Sequence, residues 1–383
     1  MKARLVLPVA AVSALALSGC VSNAAAAADT IAVSSTASEC ALTTATAPSG
    51  SIVFDITNDG ADVTEFYLLA EDGLQVITEV ENIGPGLSRE LVAQVPAGEY
   101  IIACKPGMVG DGIQAAFTVT DSGQEVSPTG ELGAQLDDAA DQYILYVRDQ
   151  IQTLVTKTNE FAAAYVAGED QRAKDIYADA RVHWERIEPV GEAFGDLDPA
   201  MDLREADLAE DENWTGWHHI EKNLFAPAEG YELTTAERQS LADKLVADTA
   251  ELSSRVNAEN FSIDAFQIGN GAKELLDEVA AGKITGEEEV WSHTDLWDFQ
   301  ANLDGASVAF GVLRPIVEQT DPDLVAELDS RFDAVQRLLA QQGSIESGFT
   351  YYDDLTDDQI QKMARAVDAL GEPLSRLTAA VVL

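Results

Sequence analysis

The hydrophobic pattern of the chain changes its period once, and this change determines the architecture. Between residues 31 and 121 lie short runs rich in β-branched and aromatic residues, separated by turn sequences such as Asn58-Asp59-Gly60 and Pro96-Ala97-Gly98. From residue 135 to 383 the apolar residues recur at helical spacing. Residues 122 to 134 are rich in Ser, Gly, Pro and Thr, as is typical of a linker. At 383 residues the chain is long enough for two domains that each bury a core.

The N-terminal domain is predicted to be an all-β sandwich. Its apolar runs have the length of strands, and turns separate them at the spacing that sandwiches show. The predicted strands are Ser51 to Thr57, Val63 to Ala70, Leu87 to Val95, Tyr100 to Ala103 and Ala115 to Thr120.

Two cysteines, Cys40 and Cys104, fall within the β domain and allow two interpretations. In an exported protein an even pair of cysteines favours a disulfide. The alternative is a nonstandard metal site, in which both thiolates and a carboxylate of Glu65 or Glu81 bind copper, another soft ion or a second iron. Without such a site, both glutamates are expected to be exposed carboxylates of a strand and a loop.

The residues around the second cysteine suggest a known fold. Residues 98 to 108 read G-E-Y-I-I-A-C-K-P-G-M and resemble the cupredoxin pattern, in which a strand leads a Cys ligand into a Pro-Gly loop that ends in Met. The resemblance implies a cupredoxin-like sandwich over residues 31 to 121. A blue-copper centre also needs two histidines, and the first histidine of the chain is His183. An ordinary type-1 copper site is therefore excluded within this domain.

The first nineteen residues predict export. Lys2 and Arg4 precede an apolar run that ends in Leu17-Ser18-Gly19-Cys20 and is too short to span a bilayer. This ending resembles the bacterial lipoprotein box, which implies a signal peptide over residues 1 to 19 and acylation of Cys20; an ordinary cleavable signal is the alternative. Residues 20 to 30 would then tether the protein to the outer face of the cell membrane, with a periplasmic protein as the alternative location.

The acidic composition excludes two classes of partner. The chain has 67 acidic and 23 basic residues, for a formal net charge of −44. Nucleic acid and anionic lipid would both be repelled, so membrane contact is expected only through the lipid anchor. Such a charge suits a protein that handles cations, although most individual carboxylates are expected to be solvated surface groups.

The C-terminal domain is predicted to be an all-α bundle. Paired residues support the starts of three helices as capping boxes: Thr234 with Glu237, Ser292 with Asp295, and Thr356 with Gln359. The predicted helices are Gln135 to Ala167, Asp170 to Glu192, Asp211 to Phe225, Ala236 to Asn257, Ile263 to Ala281, Thr294 to Glu318, Pro322 to Gln342 and Asp357 to Val382.

All four histidines fall within three segments of this bundle, and each segment combines Trp with acidic residues. The central segment, Trp214 to Phe225, places His218 and Glu221 three residues apart and so on one face of a helix. An imidazole beside a carboxylate is half of a metal site, although a core histidine bonded to its helical neighbour has the same spacing. Helices of a bundle can bring such groups together in a shared interior and build a carboxylate-rich metal site.

The same three segments carry a family resemblance. The first reads R-V-H-W-E-R-I-E-P from Arg181, the central one contains G-x-H-x-x-E from Gly216, and the third reads S-H-T-D-L-W-D-F-Q-A-N from Ser292. With K-I-T-G-E-E from Lys283 and E-P-L-S from Glu372, they resemble the imelysin-like domain of EfeO-type proteins. These are the exported components of Efe-type bacterial iron-uptake systems, and a cupredoxin-like domain precedes their imelysin-like domain. The resemblance covers essentially everything after the signal region.

The resemblance implies that the protein binds iron, as Fe2+ or Fe3+, outside the membrane and delivers it to a membrane permease, with a haem peroxidase as the third component. It implies metal binding by His218 and Glu221, and it extends to further residues of the first and third segments: His183, Glu185, Glu188 and Asp298. Glu185 and Glu188 share a helix face while His183 points elsewhere, so these three are not expected to bind one ion. The protein is expected to bind metal rather than to act as an enzyme.

Two other classes of function stay open at this stage. A metalloenzyme would be a ferroxidase with a redox metal in the β domain, or a peptidase. Common zinc peptidases place two His ligands four residues apart with Glu beside the first, and His218-His219-Ile220-Glu221 does not have that order. The other class is a polysaccharide-binding module, in which a divalent cation would have to bridge the acidic protein and an anionic polymer.

Overall fold

A computed structural model of the chain describes residues 30–382, apart from 72, 74, 75, 109, 111, 124–129, 209–212, 227–230, 260 and 282. The predicted signal peptide (1–19), the predicted acylation site Cys20 and all but the last residue of the tether (20–30) lie outside the described residues, as does the side chain of Glu81. The predicted fold class is confirmed, because strands extend to Thr120 and helices follow from Gly130.

The N-terminal domain is a sandwich of two sheets. Its described strands are β1 (Thr30–Ser35), β2 (Cys40–Leu42), β3 (Thr46–Pro48), β4 (Gly50–Asn58), β5 (Thr64–Leu69), β6 (Val76–Ile83), β7 (Ser88–Val95), β8 (Gly98–Cys104) and β9 (Ile113–Thr120). One sheet has the order β2-β1-β4-β7 and the other β3-β9-β8-β5-β6. The β1–β4 and β3–β9 pairs are parallel, and the other neighbours are antiparallel.

Aromatic side chains fill the space between the sheets. The ring of Phe54 lies 5.1 Å from that of Phe66 and 5.5 Å from that of Phe117, and all three side chains are fully buried. Four strands escaped the sequence prediction. β2 and β3 have only three residues each, β1 is rich in small polar residues, and β6 carries Thr78 and Glu79 in place of a clear apolar alternation.

Cys40 and Cys104 form a disulfide that joins β2 of one sheet to β8 of the other. Of the two interpretations of this pair, the structure contains the disulfide, in which neither sulfur is a thiolate that could bind metal. Glu65 is 5% exposed, and its Oε2 accepts a hydrogen bond of 2.8 Å from the Tyr67 hydroxyl. The expectation of an exposed carboxylate at Glu65 is therefore wrong.

The C-terminal domain is a bundle of helices around one large core. Its helices are α1 (Gly130–Val166), α2 (Asp170–Glu185), α3 (Leu197–Asp202), α4 (Gly216–Phe225), α5 (Thr235–Val256), α6 (Ala265–Ala281), α7 (Asp295–Thr320), α8 (Pro322–Leu339), α9 (Asp357–Leu374) and α10 (Leu377–Val382). A two-stranded ribbon of β10 (Gly343–Ser344) and β11 (Gly348–Phe349) lies between α8 and α9. In the described part of the chain, no helix combines the length and apolar character needed to cross a membrane.

Several helix boundaries differ from the sequence prediction for identifiable reasons. α1 begins five residues early, inside the predicted linker. α2 ends at Glu185, ahead of Pro189, and the chain continues as a 3-10 segment over Glu188–Phe194. The last predicted helix is divided into α9 and α10.

Two of the three predicted capping boxes are confirmed and one is wrong. Thr234 and Thr356 cap α5 and α9 with both reciprocal hydrogen bonds. Ser292 does not cap α7, because the helix begins at Asp295 and Thr294 is its cap residue. The Ser292 hydroxyl instead donates to the carboxylate of Glu289, so this segment serves the polar interior of the bundle.

Removal of the disulfide should destabilise the β domain and leave the stability of the helical domain unchanged. The Cys40→Ala/Cys104→Ala variant is expected to lower the free energy of unfolding of this domain by about 2–4 kcal/mol, because the cross-link restricts its unfolded chain. All five tryptophans lie in the helical domain. Far-UV circular dichroism in urea should therefore show an earlier loss of strand signal, while the midpoint of tryptophan fluorescence stays unchanged. Alkylation of Cys40 or Cys104 in the unfolded, unreduced protein would contradict the disulfide.

Candidate metal centre

A fully buried guanidinium organises the polar interior of the helical domain. Arg181 extends from α2 and is 0% exposed. It makes ion pairs with carboxylates from α2, α3, α7 and the α6–α7 connection: Glu185 (2.7 Å), Glu288 (3.1 Å), Glu289 (2.8 Å), Asp298 (3.2 Å) and Asp202. Acidic residues that are distant in sequence are thereby brought into one cluster.

His218 lies at the centre of this cluster, with carboxylates on both sides of its ring. On one side Nδ1 is 3.3 Å from Glu221 Oε2 and 3.8 Å from Glu289 Oε1. On the other side Nε2 is 3.4 Å from Asp202 Oδ1 and 3.5 Å from Glu288 Oε1. The imidazole is 1% exposed, and its Nε2 has no hydrogen-bond partner within the described structure. Each side of the ring therefore offers three ligand atoms within 4.8 Å of one another.

The close contact of α4 with α3 explains why His218 meets Asp202. Gly216, the first residue of α4, has φ 85°, and a Cβ on it would lie 2.1 Å from the carbonyl oxygen of Met201. Only glycine fits this approach. Thr215 and Trp214 strengthen the contact, since their side chains donate to the carbonyl oxygens of Ala200 and Leu203, both at 2.7 Å.

The α6–α7 connection fixes Glu221 from the other direction. Glu221 Oε1 accepts backbone hydrogen bonds from Trp291 (2.9 Å) and Ser292 (2.7 Å). The same connection supplies Glu288 and Glu289, and the Glu289 carboxylate accepts from the hydroxyl of Tyr177 (3.1 Å) as well as from Ser292. Partners of this kind hold potential ligands in orientation.

The carboxyl groups of the cluster differ in the direction in which their pKa values are shifted. Burial and the nearby charge of Glu221 raise the pKa of Glu289 to about 8. Burial also raises the pKa of Asp298 well above its usual value, with Glu185 adding to the effect. Burial opposes ionisation of Asp202 and Glu288 as well, but Arg181 and His218 lower the pKa of Asp202, and Lys283 and His218 that of Glu288, well below the usual range. Burial and Arg181 lower the pKa of His218, yet the adjacent carboxylates of Asp202, Glu221 and Glu288 raise it overall.

A third acidic group adjoins the first two and contains two of the predicted ligands. Glu185, Glu188 and Asp202 also present oxygens within 4.8 Å of one another. The ammonium of Lys283 lies between the two glutamates, 2.8 Å from Glu185 Oε2 and 2.7 Å from Glu188 Oε2. Both glutamates therefore already face a cation.

The remaining predicted ligands have different surroundings. Asp298 is fully buried against Arg181, but none of the three groups includes it. His183 points away, as its spacing predicts: its Nδ1 is 2.9 Å from Gln150 Oε1, and burial together with Arg186 lowers its pKa to about 4. His293, at φ 57°, ends the connection outside the cluster with Nε2 3.3 Å from Asp353.

The sequence reasoning missed three carboxylates that flank the imidazole. Glu288 is the last residue of the K-I-T-G-E-E motif from Lys283 and Glu289 follows it, and their position just ahead of the His293 segment was a usable signal. Asp202 lies in a short helix among other acidic residues, where no pattern distinguishes it. The donor set of one imidazole and several carboxylates suits iron and also admits zinc or manganese.

Two protein families match the two parts of the chain. The imelysin family matches residues 139–377, and the cupredoxin-like domain family matches residues 9–119. The iron uptake system component EfeO of Yersinia pestis is 37% identical over 335 residues, which cover 87% of this chain and 86% of that protein. EfeO of Escherichia coli K12 is 35% identical over 348 residues, which cover 90% of this chain and 89% of that protein.

The chain belongs to the EfeO family. Its two matched regions correspond to the cupredoxin-like and imelysin domains in the order that the sequence predicts. The His218 cluster lies entirely within the imelysin part of this EfeO-family protein.

Because α3 and α4 are in close contact at Gly216, one added methyl group there should strongly destabilise the protein. Gly216→Ala is expected to lower the free energy of unfolding by roughly 2 kcal/mol or more, because the new Cβ would collide with the Met201 carbonyl at a positive φ. Gly311→Ala is the matched control: apart from its own stretch of helix, no atom lies within 4 Å of its Cβ position, so this exposed helical site should gain about 0.5–1 kcal/mol. Urea unfolding followed by tryptophan fluorescence measures both, and equal effects would contradict the account of the contact.

Proposed function

We propose that this protein is the extracytoplasmic iron-binding component of an Efe-type iron-uptake system, which captures iron for delivery to a membrane permease. Its similarity to proteins named iron uptake system component EfeO supports the process. The His218 cluster supports the binding step. The permease, a haem peroxidase and a lipid anchor at Cys20 are parts of the same proposal, as is binding of iron as Fe2+ or Fe3+.

The observation that carries the proposal is the charge imbalance of the buried cluster. Among the described residues its buried basic side chains are Arg181, Lys283 and His218. Seven carboxyl groups surround them with side chains at most 15% exposed: Glu185, Glu188, Asp202, Glu221, Glu288, Glu289 and Asp298. Burying uncompensated carboxylates costs several kcal/mol for each ion, so the cluster favours a further positive charge. A metal ion supplies that charge and is bound directly by the carboxylates.

The proposed coordination is centred on His218. One ring nitrogen binds the metal, either Nδ1 together with Glu221 and Glu289 or Nε2 together with Asp202 and Glu288. The carboxylates on the opposite side then orient the ring, an arrangement common for metal-bound histidines. On either side the ion has one nitrogen and two carboxylate ligands, all held by helices or by hydrogen-bonded backbone.

Substitutions that remove ligands should weaken iron binding specifically. His218→Gln is expected to raise the Kd for Fe2+ at least about 100-fold, because it removes the central ligand from either side. Glu221→Gln and Glu288→Gln test the two sides, and the larger loss of affinity identifies the side that binds the metal. Anaerobic calorimetric titration of the full chain measures each affinity.

His183→Gln is the matched control for these variants. His183 lies in the same domain, but its ring bonds to Gln150 and it belongs to none of the three acidic groups. The iron affinity of His183→Gln should equal that of the wild type. Unchanged affinity in His218→Gln would reject the proposed ligand, and an equal loss in His183→Gln would show that the effect is not specific.

Metal binding should also release protons at neutral pH. The raised pKa values leave His218 protonated and Glu289, at about 8, mostly protonated near pH 7 in the metal-free protein. A metal ion requires the deprotonated forms, so affinity should fall as the pH is lowered from 8 to 6. Mn2+ titrations in buffers of different ionisation enthalpy should show release of about one or more protons per ion. An affinity independent of pH would contradict this coupling.

The ferroxidase alternative receives less support from the β domain. Both of its cysteine sulfurs belong to the disulfide, so the thiolate site on which that alternative depended is not formed in this structure. We therefore place the metal binding of this protein in its helical domain.

A further inference from the structure

The third acidic group already contains a cation supplied by the protein. Lys283 is 3% exposed, and its Nζ is within 2.8 Å of the nearest oxygens of both Glu185 and Glu188. A metal bound to these oxygens would need to lie about 2.0–2.6 Å from them. The ammonium and a metal ion therefore cannot occupy the space between the two glutamates together.

A neighbouring side-chain amide donates hydrogen bonds to the same two glutamates. Asn302 Nδ2 donates to Glu185 Oε2 (3.0 Å) and to Glu188 Oε2 (2.6 Å), the same two oxygens that contact Lys283. Asn302 is fully buried, and its Oδ1 has no hydrogen-bond partner among the described residues. A half-turn of the amide would direct Oδ1 toward the glutamates and add an oxygen ligand for a metal.

Lys283 also has a particular place in the chain. It begins the 3-10 segment Lys283–Thr285 in the α6–α7 connection, and the same connection delivers Glu288 and Glu289 to the His218 groups. One stretch of chain thus places a positive charge in the third group and negative charges beside the imidazole.

We propose that Lys283 is a built-in counter-ion that occupies the Glu185–Glu188–Asp202 group and limits the protein to one iron ion, bound at His218. This inference rests on the proposed function, because it assigns the number of ions to the same cluster. Lys283 thereby determines how many iron ions the protein binds. Replacing its ammonium with a neutral group removes the positive charge between Glu185 and Glu188 and converts the Glu185–Glu188–Asp202 group into a second metal site.

The test is the number of Fe2+ ions that the full chain retains under anaerobic conditions, measured by elemental analysis after desalting. The wild type is expected to retain one ion and Lys283→Gln two. Lys283→Arg preserves the positive charge and should retain one. The Lys283→Gln/His218→Gln variant should also retain one, held by the glutamate group alone.

Each outcome of this experiment is decisive. Two ions in the wild type, or no additional ion in Lys283→Gln, would overturn the role of Lys283. A wild type that retains none while Lys283→Gln retains one would instead reject iron binding at His218 and support the role of Lys283. If Lys283→Gln is unfolded in chelator, added Fe2+ should restore its near-ultraviolet circular dichroism, and failure to restore it would overturn the inference.

Discussion

The ion pairs of Arg181 are the interaction on which the interior of the helical domain depends. Five carboxylates from α2, α3, α7 and the α6–α7 connection converge on one fully buried guanidinium. Arginine suits this position, because its planar fork of donors can satisfy several acceptors at once and it stays charged when buried. Removal of Arg181 would leave several buried carboxylates facing one another without its positive charge. The stability of the acidic cluster therefore depends on this residue.

The cluster combines rigidly held side chains with incomplete charge compensation. Glu221 is fixed by two backbone donors, and Gly216 allows α4 to approach α3 until His218 meets Asp202. Such fixed side chains cannot turn away to be solvated, and burial together with the nearby charge of Glu221 raises the pKa of Glu289 to about 8. Protons or a metal cation would relieve the repulsion of the concentrated negative charge, and this exchange links the geometry of the cluster to the iron capture that we propose.

Much of the fold and the central pair of the candidate site could be predicted from the sequence. Helical periodicity, two capping boxes and the i, i+3 spacing of His218 and Glu221 are local signals, and local geometry confirmed them. Asp202 could not be assigned in this way, because only tertiary contacts distinguish it from solvated surface carboxylates. Glu288 and Glu289 had one sequence signal, their place just ahead of the His293 segment, but tertiary contacts alone bring them to the imidazole. Ser292 shows the opposite error: its spacing to Asp295 satisfied a capping rule, but the buried Glu289 carboxylate competes for its hydroxyl.

X-ray absorption at the iron edge of the iron-loaded full chain would show whether His218 binds the metal. A metal centre at His218 predicts a first shell of oxygen atoms with one imidazole, whose outer-ring scattering disappears in His218→Gln and persists in His183→Gln. A spectrum without imidazole scattering, or one that His218→Gln leaves unchanged, would contradict a metal centre at His218.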